Sequence, residues 1–234
     1  YKNIFLAPDL NFTVDDLTVD SSASESLKKQ AGSFTDLTFG YVITKDERNR
    51  KFMPTDGSVV SFRQNLPLMS DSESILNSIR YRQYHSFSEN VIGAFKFYGA
   101  AINTLGDEDV RLSKRLHLGR NVLRGFETRK VGPKDGADYV GGNYATAINL
   151  EAALPNLLPE GTETDISVFV DLGNIWHVDY SSDVEDSNKI RSSLGVATNM
   201  YTPIGPLSFV LAQNLSKADS DQTQSFNFQI GTSF

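Results

Sequence analysis

Asp171 and Glu151 stand where they could do chemistry together. Asp171 lies in Val168-Phe-Val-Asp-Leu-Gly173 and Glu151 in Ile148-Asn-Leu-Glu151. In an extended chain successive side chains point to opposite faces, so each carboxylate opposes the aliphatic residues beside it. Two carboxylates on one face of neighbouring antiparallel strands repel each other unless a cation lies between them. Arg124, in Leu123-Arg-Gly-Phe126, suits that place. Its planar fork donates to carboxylates bidentately and keeps its charge at any relevant pH. Gly125 would permit the tight backbone needed to bring the arginine inward, and Phe126 could pack on the wall. At an effective dielectric of ~20 a close pair gains roughly 4 kcal/mol before desolvation is subtracted. The net gain is then small, but removing one partner strands a charge. This chemistry is registry, not proton transfer. A single inward Asp, taken alone, is more readily a charge lining a water-filled pore.

Other candidates for chemistry carry less. There is no cysteine, and the three histidines are His85, His117 and His177. Only His177, with Asp179 two residues on, falls in a polar link near a carboxylate, and no second Asp pair stands opposite it. The acidic run Asp183-Val-Glu-Asp186 lacks the EF-hand pattern and reads as a solvated loop. No catalytic residue, metal or cofactor is expected. A formal charge of -7 argues against nucleic acid as a partner.

The elements that must position these residues follow from alternation. Leu37, Phe39, Tyr41 and Ile43 alternate with Thr38, Gly40 and Val42, and Ile190, Leu194, Val196 and Met200 oppose Arg191, Ser193, Gly195 and Asn199. Phe226, Phe228 and Ile230 oppose Ser225, Asn227 and Gln229. This period of two is the strand signature. With weaker segments near 9–19, 75–85 and 206–214 it predicts about ten strands, several long enough to cross a bilayer at a tilt. Mean hydropathy is below zero, but in a membrane barrel the two faces average out. Pattern alone favours an antiparallel transmembrane β-barrel and leaves a soluble β-sandwich as the alternative. The longest predicted links, 20–35, 103–143 and 177–189, are polar, as outer loops are, whereas 86–90 and 201–206 are short turns. Ala23–Gln30 could form one short helical turn, and Trp176 and Tyr180 are expected in an outer aromatic girdle. The sequence opens at Tyr1 without the signal that barrel export requires, so a piece of a longer protein is expected.

The motifs resemble one family. Leu123-Arg-Gly-Phe126 is similar to the Val-Arg-Gly-Phe/Tyr element of an outer loop in the BamA superfamily of outer-membrane assembly factors, with Leu123 replacing the usual Val. Phe169-Val-Asp-Leu-Gly173 resembles that family's Phe-x-Asp-x-Gly strand motif. Pro54-Thr-Asp-Gly57, Val131-Gly-Pro133, Gly141-Gly-Asn143 and Pro203-Ile-Gly-Pro-Leu207 extend the likeness along the chain. Gly119-Arg120 departs from a common Gly-Gly, outside the Arg-Gly-Phe core. The final segment, Phe226 to Phe234, resembles the terminal-aromatic signal by which outer-membrane barrels are recognised.

The resemblance implies that residues 1–234 are the C-terminal portion of a barrel of about sixteen strands, with earlier strands and periplasmic POTRA domains outside this sequence. It implies residence in the outer membrane of a Gram-negative bacterium and a role in folding and inserting other barrels. The loop would be locked by Arg124 to Glu151 and Asp171, with Phe169 and Gly173 beside them. A lateral gate would lie at the last strand, through Phe226, Phe228, Ile230, Gly231 and Phe234, where an incoming strand pairs by β-augmentation. Implied partners are membrane lipids and lipopolysaccharide, unfolded outer-membrane clients and accessory lipoproteins. Translocation assembly and two-partner secretion transporters share the Arg-Gly and Asp motifs and stay open as alternatives, as does a passive porin.

Overall fold

The computed structural model describes residues 3–158, 164–202 and 205–230. Gly231 and Phe234 lie outside the described residues, as do Pro203 and Ile204 of the penultimate turn.

Period-two alternation becomes one antiparallel sheet. Its strands are β1 (Ile4–Leu17), β2 (Gly32–Asp46), β3 (Gly57–Ser70), β4 (Ser74–Ser88), β5 (Val91–Thr104), β8 (Tyr144–Ala153), β9 (Thr164–Trp176), β10 (Arg191–Thr202), β11 (Gly205–Ser216) and β12 (Phe226–Ile230). They follow in that order as a meander, so each pairs with its neighbours in sequence, and β1 and β12 form the two edges. A one-turn helix α1 (Glu25–Lys28) lies in the first link, within the predicted segment. The long link between β5 and β8 holds a short 3₁₀ turn (Leu112–Lys114) and a small hairpin of β6 (Lys134–Asp135) and β7 (Asp138–Tyr139). The weak first segment is displaced from its expected place. It runs from Ile4, because Leu6 and Leu10 continue the alternation of Phe12 and Val14 across Pro8. A proline is tolerated at an edge strand.

The sheet is inside out relative to a soluble domain. On β9, Ser167, Phe169, Asp171 and Ile175 are buried, while Val168 and Val170 between them are 44% and 38% exposed. Leu150, Leu194, Val196, Leu211 and Phe228 are likewise exposed aliphatic or aromatic residues. A polar, buried inner face and an apolar, uncovered outer face are what a barrel wall in lipid requires. Most strands run 10–15 residues, enough for a tilted crossing of the hydrocarbon core. No helix among the described residues is long and apolar enough to cross a membrane, which says nothing against strands doing so.

The apolar core lies between the long link and the inner wall. Leu118, Leu123, Phe126 and Val131 of the link pack on Ala145 and Ala147 of β8 and Ile175 of β9. Small alanines on the wall let the link's side chains seat closely.

Candidate functional site: the Arg124 loop and the inner wall

The wall sets the site before the loop enters it. In the β8–β9 ladder Asn149 pairs with Asp171 and Glu151 with Phe169, so the two carboxylates are diagonal neighbours on the inner face. Asp171 is fully buried and Glu151 partly so. Phe169 packs between them and the next strands, against Ala197 and Ala212.

Arg124 enters this frame from the long link. Its Nε and Nη2 donate to the two oxygens of Asp171 at 2.8 and 2.7 Å, and its backbone N–H donates to the same carboxylate at 3.0 Å. Its Nη1 donates to Glu151 at 3.2 Å. The guanidinium also lies over the Phe169 ring, its central carbon 3.5 Å from the centroid. This contact uses the weak hydration of a guanidinium, which an ammonium lacks. Ser193 Oγ donates to the Arg124 carbonyl at 2.6 Å, next to an irregularity in the β10–β11 register. Gly125 has φ +85, and a Cβ there would lie 3.0 Å from that of Ala212 and 3.2 Å from that of Ser193. Phe126 is buried in the core of the loop. Gly173 leaves room for Leu118, whose methyl would sit 3.3 Å from an added Cβ.

The sequence missed a second cation on Glu151: Lys96 of β5 donates to it at 3.0 Å. The signal was present, because Lys96 opposes Phe95 and Phe97 and faces inward. Outer-end contacts of the same link were also missed. Arg111 and Lys114 both donate to Asp36 at the start of β2, at 2.7 and 3.0 Å. Arg115 donates to Asp179 and, at 2.6 Å, to Asn143. Burial alone would raise the Asp179 carboxyl, but the Val110 N–H, Arg115 and Asn143 outweigh it and hold it below the usual carboxylate range.

Asp179 is engaged by Arg115, and His177 donates its backbone N–H to Asp186, so the discounted His177–Asp179 pair is a link connection. One expectation changes. Tyr180 does not face an outer girdle. Its hydroxyl donates to Asp135 and Arg115 lies over its ring at 4.9 Å, so it is bound into the loop cluster. Burial, then Asp135, push its phenol well above the ordinary value. On the terminal strand Phe226, Phe228 and Ile230 face outward, and Asn227 and Gln229 face inward.

The Omp85 superfamily domain matches residues 4–234. The chain belongs to the Omp85 superfamily. Among Omp85 relatives, the outer membrane protein assembly factor BamA of Nitratidesulfovibrio vulgaris is 23% identical over 224 residues, 92% of this chain and 28% of that protein. BamA of Neorickettsia risticii is 25% identical over 221 residues, again 92% of this chain and 30% of that protein. The chain therefore spans less than a third of either relative. The crystal structure of BamA from Haemophilus ducreyi lacking POTRA domains 1–3 superposes with a TM-score of 0.84 at 24% identity, covering 97% of this chain and 51% of that one. Omp85 membership and the inverted sheet together make this a β-barrel wall of the bacterial outer membrane.

Proposed function

We propose that this chain is the C-terminal portion of the barrel of an outer-membrane assembly factor, which folds and inserts other β-barrel proteins. One observation carries the reading: the motif arginine of the long link is seated on both motif carboxylates and the motif phenylalanine of the inner wall. A pore that only conducts needs an open lumen, whereas here a link of about 39 residues lies against the inner face. The Arg124 set fixes that link and holds the wall strands β8, β9 and β10 in one arrangement. The last strand then serves as a seam where an unfolded client adds a strand by β-augmentation. Lipid and lipopolysaccharide contact the outward apolar face, and accessory lipoproteins and clients are further partners.

The test is client insertion into vesicles by the full-length protein. Arg124→Ala is expected to impair it strongly, because removing one partner of a buried pair costs about 3–5 kcal/mol. Arg124→Lys is expected to keep part of the rate. Unchanged insertion by the Ala variant overturns the loop's role. Cysteines introduced across the seam and oxidised should block insertion, and full activity of the locked protein overturns the gate. A large, steady conductance without insertion would favour a passive porin.

A further inference from the structure

Away from the Arg124 set, a second ion pair is removed from water entirely. Arg191 at the start of β10 and Asp221 in the link between β11 and β12 both have side chains with no exposure. Arg191 Nε and Nη2 donate to the two Asp221 oxygens at 2.8 and 3.1 Å. Its Nη1 donates to Asn174 of β9 and to the carbonyls of Ser187 and Lys189, at 3.2 and 3.1 Å for the carbonyls. Asp221 also accepts from the backbone N–H of Ala218 at 2.6 Å and of Gly132 at 3.3 Å. One buried pair thus joins the three outer links that follow β5, β9 and β11.

Immediately after Asp221 the chain pairs with the motif segment. Gln222 N–H donates to Lys130 O at 2.9 Å, Glu127 N–H to Gln222 O at 3.0 Å, and Gln224 N–H to Gly125 O at 3.0 Å. Phe126 and Thr223 form an antiparallel bridge. Two residues later β12 begins, and among the described residues its ladder with β11 runs from Phe226 to Ile230 against Leu211 to Leu207. The outer end of this strand is therefore held by the loop that carries Arg124.

We propose that Arg191 and Asp221 are positioning residues that fix the Arg-Gly-Phe loop and the outer end of the terminal strand as one unit. A buried charge pair with all its oxygens donated to holds one geometry, since any slip strands a charge. The unit anchors the outer end of β12, the strand at the proposed seam. The consequence for client insertion rests on the function proposed above; the positioning itself does not.

Amide hydrogen exchange in the full-length, membrane-reconstituted protein tests the positioning without any assembly assay. In Asp221→Ala the amides of Glu127, Gln222 and Gln224 should exchange about tenfold faster or more, while the Arg124 amide and the β8–β9 ladder keep their protection. Asp221→Asn, which retains one acceptor oxygen, should give a smaller rise at the same amides. Unchanged exchange at Gln222 and Gln224 in folded Asp221→Ala overturns the proposal. A uniform rise extending to β2–β5 does so too, because the pair would then contribute only general stability. If the Ala variant does not fold, the same comparison is made on Asp221→Asn, with the same outcomes deciding.

Discussion

The guanidinium of Arg124 has one aromatic face and two carboxylates around it, and these partners are not equal. Asp171 is fully buried and receives three donors from Arg124 alone. Glu151 is shared with Lys96 and is partly reached by solvent. Neutralising them should therefore cost different amounts. Asp171→Asn is expected to destabilise the loop's seat by about 3–5 kcal/mol, and Glu151→Gln by about 1 kcal/mol. Protease cleavage of the 105–143 link in folded protein measures this order, and equal sensitivity of the two variants contradicts it. His117 in the same link gives a pH dependence. Burial, with Arg129 nearby, brings its imidazole down to about 4 from 6.5. A base with a depressed value when seated is neutral in the seated loop and takes a proton once the loop opens. The His117 contribution to seating is fully present above about pH 6.5 and is lost as pH falls toward 4. Loop cleavage should rise over that window, and His117→Gln should flatten the rise.

At the scale of elements, the strands were legible because one physical rule produced them. A wall with lipid on one face must alternate, so Val168, Phe169, Val170 and Asp171 announced their faces by parity. The carboxylates of the site were legible for the same reason. The outer-link connections were not. Arg191 showed inward parity, but its partner Asp221 sits in an aperiodic link, where no spacing says which carboxylate a distant arginine will meet. Arg111 and Lys114 meet Asp36 across more than seventy residues for the same reason. Tyr180 misled because a tyrosine following a membrane strand suits a girdle as well as a loop cluster. Parity itself can be tested at the centre of β9. Val170 points outward midway along Thr164–Trp176. Val170→Arg is expected to cost about 2–4 kcal/mol in a urea folding titration in vesicles, as an arginine near the bilayer midplane does. A cost under about 1 kcal/mol would mean that this face meets water.

The whole molecule has a constraint that neither residues nor single strands reveal. Its ten-stranded sheet ends on two edges, β1 and β12, each laddered on one side only among the described residues. Every unpaired N–H and C=O within hydrocarbon costs several kcal/mol, so spanning sheets close on themselves or pair with more strands. On β1 that edge runs fourteen residues, from Ile4 to Leu17. The outward Leu6, Leu10, Phe12 and Val14 of β1 form an apolar face as regular as that of the inner strands. Under the proposed reading as part of a larger barrel, further strands pair with β1, in keeping with coverage of 51% of the Haemophilus ducreyi chain. The chain refolded alone in vesicles should then associate edge to edge, migrating as oligomers on mild detergent gels. Supplying the preceding barrel strands, in one polypeptide, should give a monomer that shifts mobility on heating. A heat-shifting monomer from residues 1–234 alone would show that the ten strands close by themselves, and would remove the argument for strands beyond β1.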